Sequence, residues 1–314
     1  MNMEIITLKN GHLSIGVLRY GAIIQSINAF GLEVAAGFDT VEEYIADECC
    51  FGSIVGRTSN RALGNQVLDG KQYSLSLNEN GVTHLHGGFE GFGKKIWDVA
   101  ARGDNFVTLT YTSQSGEEGY PGNLCVAVTY TVQDNALLVR YTAKTDAPTW
   151  VGLTNHTYFN SDGIGSGSIF GKKVTVNADF VSVKDALSRV AGRTEAAGEF
   201  DLKNGRAVEC EYDHNFYLCG DKKRHFDGRE LSYAATLEGK VDISVYTDMP
   251  CMQFYTGNFI PDNTPVSGGN IISKHGALCF ETQFEPGLPH ECILREGELY
   301  DKMTVFTFEK SARM

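Results

Sequence analysis

Hydrophobic and polar residues alternate along much of this chain. Between residues 125 and 133 every second side chain from the second position on is apolar, namely Val126, Val128, Tyr130 and Val132. Because successive side chains of an extended strand point to opposite faces, these residues share one face. After a turn at Asp134–Asn135 the alternation resumes with Leu137, Val139 and Tyr141, which predicts two strands joined by a hairpin.

The same period of two recurs elsewhere, in segments enriched in Thr, Val, Tyr and Phe, the residue types typical of strands. The further predicted strands are Ile5–Leu8 and Leu13–Leu18 around a turn at Asn10–Gly11, Asn105–Thr112, Ala277–Phe284 and Met303–Phe308. Only two short segments, Val41–Ala46 and Lys184–Val190, have a helical pattern. We therefore expect an all-β fold, a large antiparallel β-sandwich, with residues 1–314 forming one domain.

Composition narrows the class of ligand and the compartment. The 39 acidic and 27 basic residues give a net charge of -12, which disfavours nucleic acid and anionic membranes as partners and fits a small neutral ligand. The first residues lack a basic-then-apolar signal, and no apolar run approaches the ~18 residues that span a bilayer. Together with eight cysteines that form no CxxC pair, this predicts a cytoplasmic protein with reduced thiols.

Polar clusters interrupt the alternating pattern and are the candidates for chemistry. They are Gly56–Arg61 (GRTSNR), Thr83–Gly88 (THLHGG), Thr154–Asn160 (TNHTYFN), Tyr212–Asn215 (YDHN), Gln253–Asn258 (QFYTGN) and Phe280–Gln283 (FETQ). In an extended segment, His156 and Tyr158 point to the same side, which suits sugar binding and proton donation near neutral pH. A buried histidine bonded to backbone would leave the same pattern.

Carboxylate and arginine side chains in these clusters also have two possible interpretations. Glu281 follows an apolar run, so on a central strand its carboxyl would be desolvated and its pKa raised toward that of a general base. On an edge strand it would be solvated. Arg61, after Asn60, could bind hydroxyl oxygens or form a structural ion pair. Asp213 could accept hydrogen bonds from vicinal hydroxyls or form a turn.

The His84-Leu85-His86 sequence permits a metal site. On a strand both imidazoles would share a face, and the spacing to Glu90 matches part of a cupin metal motif. However, the flanking glycines of that motif are absent, and Gly87–Gly88 instead indicates backbone that closely approaches a ligand. We expect no metal.

The ordered motifs of this chain resemble those of the aldose 1-epimerase (galactose mutarotase) family. The resemblance runs from about Gly52 to the C-terminal tail and rests on the order and spacing of GRTSNR, LDGKQY, HLHGG, GFGKKIWDV, GYPG, TNHTYFN, YDHNF, QFYTGNF and FETQ. It implies a large antiparallel β-sandwich and an isomerase that interconverts the α and β anomers of free hexoses such as galactose and glucose.

The resemblance also implies a role for each matching residue. Glu281 would be the catalytic base, His156 the general acid, and His86 would lie against the sugar ring. The sugar contacts implied by the family are Asn60, Arg61, Tyr158, Asp213 and Gln253. No cofactor or metal is implied, and the chain is expected to act as a monomer or homodimer.

Three departures from the family pattern affect sugar preference more than reaction type. Ser59 replaces the common alanine, and neither the segment after FETQ nor Ser188–Glu199 has its usual form. Two alternative functions remain: a hexose-6-phosphate mutarotase, which would need extra cations, and a non-catalytic carbohydrate-binding protein on the same fold.

Overall fold

Short antiparallel strands joined by tight turns form nearly all the regular structure in the computed structural model, which describes residues 4–312. The largest sheet has ten strands. In spatial order they are Asp98–Arg102, Phe106–Ser113, Leu124–Gln133, Ala136–Thr145, Tyr300–Lys310, Val241–Thr247, Arg229–Leu237, Lys173–Val176 and Arg206–Ala207, with Lys223–Phe226 paired to Arg229–Leu237. This arrangement confirms the predicted all-β class.

A second sheet of seven strands carries most of the candidate residues. Its order is Val190–Glu195, Ala178–Lys184, Asp213–Leu218, Cys251–Tyr255, Leu278–Gln283, Tyr158–Phe159 and Ala35–Ala36. The Leu278–Gln283 strand is therefore central and has neighbours on both sides. Glu281 lies on a central strand rather than on an edge.

Smaller elements complete the chain. A four-stranded sheet comprises Ile6–Asn10, Leu13–Val17, Ile24–Ala29 and Leu32–Glu33. The two-stranded pairs are Arg61–Leu63 with Thr83–Leu85, Asn65–Leu68 with Lys71–Ser74, Ile54–Val55 with Thr154–Asn155, Thr149–Trp150 with Ile293–Leu294, and Thr264–Val266 with Asn270–Ile272. The 3₁₀ helices are Phe92–Lys94, Glu117–Gly119, Gly198–Phe200, Ser267–Gly269 and His290–Cys292.

The single α-helix in the described range, Val41–Ala46, has the predicted bounds. Thr40 caps it: the Thr40 side chain accepts a hydrogen bond from Glu43 N at 3.3 Å, and the Glu43 carboxylate accepts one from Thr40 N at 2.9 Å. This reciprocal capping box satisfies N–H groups that the first turn leaves without helical partners. No helix between residues 4 and 312 combines the length and apolar character needed to cross a bilayer.

The second predicted helix, Lys184–Val190, is wrong. The chain instead makes a hairpin turn between the Ala178–Lys184 and Val190–Glu195 strands. The Asp185 carboxylate accepts hydrogen bonds from the backbone N–H groups of Leu187 (2.8 Å) and Arg189 (3.0 Å). These local bonds stabilise a turn in competition with a helix, and Ser188 has a left-handed φ of 58° that a helix cannot accommodate.

The hydrophobic core lies between the two large sheets, because the alternating apolar side chains of their strands point to this side. The hairpin of Leu124–Gln133 and Ala136–Thr145 pairs Gln133 with Ala136, and Val126, Val128, Tyr130 and Val132 are all buried as predicted. Across the sandwich, Phe159 of the seven-stranded sheet packs against Phe306 of the ten-stranded sheet with ring centroids 5.1 Å apart. One continuous buried cluster joins both sheets and the four-stranded sheet.

The two faces of the seven-stranded sheet differ in chemistry. Phe216, Phe254 and Phe280 point into the core. Strand register places the polar side chains in rows on the opposite face: Asn215, Gln253 and Glu281 are direct cross-strand partners, as are Asp213, Tyr255, Cys279 and Tyr158 in the next row. Residues two apart along a strand share a face, so both rows form the floor of one site.

Candidate active site

The polar face of the seven-stranded sheet forms the floor of a small cavity, and loops from the N-terminal half form its walls. The cavity has a volume of about 140 Å³ and is lined by Glu48, Cys49, Cys50, Asn60, Arg61, Leu85, His86, His156, Tyr158, Asp213, Gln253, Tyr255, Phe259 and Glu281. All eight site residues expected from the sequence line it. A larger depression of about 470 Å³ shares the His86 wall but is not lined by Glu281 or His156.

Glu281 is the carboxylate at the centre of this floor. Its residue is only 2% exposed, and its Oε2 atom has no hydrogen-bond partner in the described part of the chain. Burial raises the pKa of Glu281 to about 8; negative Asp213 adds to the rise and Arg61 opposes it. A carboxyl group whose pKa lies near the working pH is suited to general base catalysis.

His156 faces Glu281 across the cavity. The Nε2 atom of His156 lies 3.5 Å from Glu281 Oε1, and its ring is 5.1 Å from that of Tyr158. Burial lowers the pKa of His156 to about 4, although its own backbone carbonyl and Asp213 act in the other direction. A protonated imidazole in this position is therefore a strong acid, held next to a strong carboxylate base.

His86 completes the group from the opposite wall. It follows the Thr83–Leu85 strand with a left-handed φ of 53°, and its ring lies 5.5 Å from that of His156. Its Nδ1 atom accepts a hydrogen bond from the Asn60 backbone N–H at 3.2 Å. A neutral imidazole that accepts at Nδ1 carries its proton on Nε2, so His86 presents an N–H donor to the cavity.

The cupin-like interpretation of His84, His86 and Glu90 is wrong. The strand ends at Leu85, and the left-handed turn at His86 breaks the alternation, so the two imidazoles do not act together. Both ring nitrogens of His84 are already occupied: Nδ1 lies 2.8 Å from the Ser76 carbonyl and Nε2 lies 2.7 Å from the Tyr120 hydroxyl. His84 is a fully buried structural histidine.

A different trio has the composition of a metal site. The ligand atoms of His86, His156 and Glu281 all lie within 4.8 Å of one another, the one such group found among residues 4–312. A metal-bound imidazole ordinarily donates its second N–H to an acceptor. The second nitrogen of His86 instead receives a donor, Asn60 N–H. The trio therefore fits donors and acceptors for sugar oxygens better than metal ligands.

Arg61 both forms an ion pair and lines the cavity. Its Nε and Nη2 atoms bind the Glu79 carboxylate at 2.8–3.0 Å. The Asn60 side chain accepts a hydrogen bond from Arg61 N at 2.8 Å while its own φ of 60° turns the chain toward the site. The pairing with Glu79 fixes the guanidinium plane, so the ion pair that the sequence permitted is present, and Arg61 also lines the cavity.

The remaining polar residues form a linked group on the floor. Asp213 begins the Asp213–Leu218 strand and does not form a turn. Its carboxylate accepts hydrogen bonds from Gln253 Nε2 at 2.6 Å and from Lys184 Nζ at 3.2 Å. The Tyr158 hydroxyl donates to the Cys49 carbonyl at 2.9 Å, which leaves the face and edge of the ring to the cavity. These contacts hold Asp213 and Gln253 in fixed orientations before any ligand arrives.

Sequence reasoning missed several residues that line or support the cavity. Tyr255 and Cys279 lie two positions from Gln253 and Glu281 on the same strands, so the period of two was a usable signal for both. Glu79 and Lys184, which hold Arg61 and Asp213, come from distant segments for which the sequence offered no local signal. Phe259, 71% exposed at the cavity rim, is also unforeseen.

Known proteins similar to this chain agree in sequence and fold. A profile of the aldose 1-epimerase family matches residues 4–307. The galactose mutarotase of Bos taurus is 37% identical, with 98% of this chain and 94% of that protein aligned, and the aldose 1-epimerase of Escherichia coli (strain K12) is 30% identical over 97% and 95%. Among solved structures, an aldose epimerase homologue from C. elegans superposes with a TM-score of 0.87 at 25% identity, covering 98% of this chain and 99% of that one.

Proposed function

This chain belongs to the aldose 1-epimerase family, and on that premise we propose that it interconverts the α and β anomers of free hexoses such as galactose and glucose by acid–base ring opening. The observation that carries the proposal is the buried pair of Glu281 Oε1 and His156 Nε2, 3.5 Å apart in a cavity lined by hydrogen-bonding groups. One group can remove a proton from a sugar while the other supplies one.

The proposed reaction moves two protons in opposite directions. The Glu281 carboxylate takes the proton of the C1 hydroxyl, and His156 gives its Nε2 proton to the ring oxygen. The bond between C1 and the ring oxygen breaks, and an open-chain aldehyde forms. Rotation about the C1–C2 bond presents the other carbonyl face, and reclosure with both proton transfers reversed yields the other anomer.

The working form of the pair is a carboxylate with an imidazolium. Burial disfavours charge on either group alone, as the directions of both pKa shifts show. Ionisation of Glu281 places a negative charge 3.5 Å from His156 Nε2, which favours the imidazolium. One proton shared by two coupled groups therefore supplies both the base and the acid.

The other cavity residues support binding and charge stabilisation in this proposal. His86 offers its Nε2–H to a sugar oxygen, and Arg61 offers the part of its guanidinium that Glu79 does not occupy. Asp213 and Gln253 form a joined acceptor and donor for neighbouring hydroxyls. Asn60 shapes the wall of the cavity, and Tyr158 packs against the sugar ring. Donors fixed in advance stabilise developing charge without reorganising.

A neutral hexose suits this site better than a hexose 6-phosphate. Arg61 and Lys184, the cations on the wall and beneath Asp213, are each already paired with a carboxylate. A phosphate group would need further cations in reach. A binding protein without catalysis would not require a carboxyl group and an imidazole facing each other with opposite pKa shifts.

Polarimetry tests the proposal directly. Freshly dissolved α-D-galactose and α-D-glucose should approach their equilibrium rotations faster with the protein, to unchanged end points. We expect Glu281→Gln and His156→Asn each to lower turnover by at least ~10²-fold. The exposed Glu195→Gln and His225→Asn serve as matched controls. Acceleration of hexose 6-phosphates alone, or full activity in both site variants, would contradict the proposal.

The setting of the enzyme is part of the same proposal. We infer one catalytic domain over residues 1–314 that acts in the cytoplasm as a monomer or homodimer. All eight cysteines are free, which supports a reducing compartment. Cell fractionation followed by size-exclusion chromatography with light scattering tests both statements, and recovery from an oxidising compartment or as a larger assembly would contradict them.

A further inference from the structure

The two glycines that follow His86 are packed tightly against other parts of the chain. A Cβ atom added at Gly87 would lie 1.7 Å from the Gly56 carbonyl oxygen, and one added at Gly88 would lie 2.1 Å from Glu118 Oε2. Neither position has room for a side chain. The near neighbours of this backbone are therefore protein groups, and one of them is a carboxylate.

The backbone of this turn is left-handed at three successive residues. The φ angles of His86, Gly87 and Gly88 are 53°, 87° and 101°. This region is disfavoured for a residue with a Cβ atom, such as His86, so the turn persists only where its surroundings hold it. At its start, the His86 N–H donates to the Asn60 carbonyl and the Asn60 N–H donates to His86 Nδ1, each at 3.2 Å.

The Glu118 carboxylate holds the other end of the turn. Its Oε2 atom accepts a hydrogen bond from the Phe89 N–H at 3.2 Å, and its Oε1 atom accepts one from the Glu90 N–H at 2.8 Å. The Ser76 hydroxyl donates to Oε2 as well. These three donors are neutral, and a charged acceptor binds such groups more strongly than a neutral acceptor does.

Glu118 itself is held by contacts that do not involve the turn. Its carbonyl accepts a hydrogen bond from the Ser76 N–H at 3.1 Å. Two residues further on, Tyr120 is fully buried and its hydroxyl lies 2.6 Å from Thr58 Oγ1. The carboxylate is therefore presented to the turn from a fixed part of the fold.

We propose that Glu118 is a positioning residue: by binding the N–H groups of Phe89 and Glu90 it closes the left-handed turn and holds the His86 imidazole at the cavity wall. This inference rests on the proposed role of His86 as an N–H donor to the sugar. Glu118 is not among the residues that line the cavity, so it acts on the sugar through His86. No proton moves to or from Glu118 in the reaction.

Removing the carboxylate should loosen the turn and displace the imidazole. In Glu118→Ala we expect kcat/KM to fall by about tenfold, in keeping with the loss of one hydrogen bond between His86 and the sugar. Glu118→Gln keeps one acceptor oxygen and should lie between Glu118→Ala and the wild type. In a His86→Ala background, Glu118→Ala should cause no further fall, because the ring that it holds is gone.

Amide hydrogen exchange measured by NMR without any sugar gives a second readout. The Asn60 N–H donates to His86 Nδ1, so its exchange rate reports whether the ring stays in place. We expect this N–H to exchange about tenfold faster in Glu118→Ala than in the wild type, with a smaller increase in Glu118→Gln.

Glu117→Ala is the matched control. Glu117 is the adjacent residue, is also half-buried, and accepts a hydrogen bond from the Tyr111 hydroxyl at 2.7 Å, so its loss should change neither readout. Unchanged Asn60 exchange in both Glu118 variants, or an equal fall in kcat/KM with and without His86, would overturn the inference. Glu118→Gln decides the matter if the alanine variant does not fold. The exchange result stands even if the protein fails to accelerate mutarotation, and that failure would count against the proposed function alone.

Discussion

Glu281→Gln should stabilise the folded protein while removing its activity. The carboxyl group is buried, one of its oxygens has no protein partner, and its pKa is raised from 4.5 to about 8. The unfolded chain ionises this group freely near pH 4.5, but the folded chain resists ionisation until about pH 8. The favourable contribution of the protonated form is therefore complete below about pH 4.5 and is lost as the pH rises toward 8.

The expected size of the effect follows from the two pKa values. The difference between 4.5 and about 8, at ~1.36 kcal/mol per pKa unit, sets an upper limit of about 5 kcal/mol at high pH. The same relation gives about 4 kcal/mol at pH 8 and under ~1 kcal/mol at pH 5. The buried amide of the variant carries its own cost of ~1–3 kcal/mol, which does not depend on pH. Relative to the wild type, the variant should therefore gain about 3 kcal/mol more stability at pH 8 than at pH 5, and this difference reports the ionisation of Glu281 alone.

Thermal unfolding at one scan rate measures this difference. For a chain of this length, about 3 kcal/mol corresponds to a gain in Tm of roughly 3–6 °C for the variant at pH 8 relative to its gain at pH 5. His156, whose pKa is lowered from 6.5 to about 4 in the folded chain, is present in both proteins, so its own titration cancels in this comparison. Glu195→Gln, exposed on an edge strand, controls for removal of a charge. An equal difference in Tm at both pH values would refute the reasoning.

Three other measurements test the site. The pH profile of kcat/KM should be bell-shaped with limbs near pH 4 and 8, because the working pair holds one proton. Below the lower value Glu281 cannot act as a base, and above the upper value His156 cannot act as an acid. A rate that still rises at pH 9 would leave Glu281 as the sole titrating group. Arg61→Lys should raise KM by about tenfold without loss of fold, because a lysine cannot keep the two-point contact with Glu79. An unchanged KM in polarimetric assays would show that Arg61 does not contact the substrate. Turnover should survive dialysis against EDTA, and activity that EDTA abolishes and zinc restores would reassign Glu281, His156 and His86 as metal ligands.

Local sequence rules account for the sandwich and for part of the site. The pattern of apolar residues predicted the hairpin after Leu124 and the strand that carries Glu281, but it left open whether that strand was central or at an edge. The same alternation also places Cys279 and Tyr255 on the face of the sheet that carries the site. The rules failed at Lys184–Val190, where the Asp185 carboxylate accepts a hydrogen bond from the Leu187 backbone N–H and stabilises a turn over a weak helical pattern.

The remainder of the site depends on contacts that no local rule describes. His86 and His156 are distant in sequence, and they meet because left-handed turns at Asn60 and His86 bring one wall over the sheet. The Arg61–Glu79 pair has a similar origin in the folding of that wall. Only the resemblance of ordered motifs to a family connected these segments before the structure did.

The register of the seven-stranded sheet decides which side chains face the cavity and which face the core. Moving the Leu278–Gln283 strand by a single position would turn Phe280 or Thr282 into the cavity and drive Glu281 into the apolar interior. A one-residue insertion within the strand should therefore lower stability and activity together. Changes in length are therefore compatible with the proposed pair of Glu281 and His156 only outside this strand, in the loops at its ends.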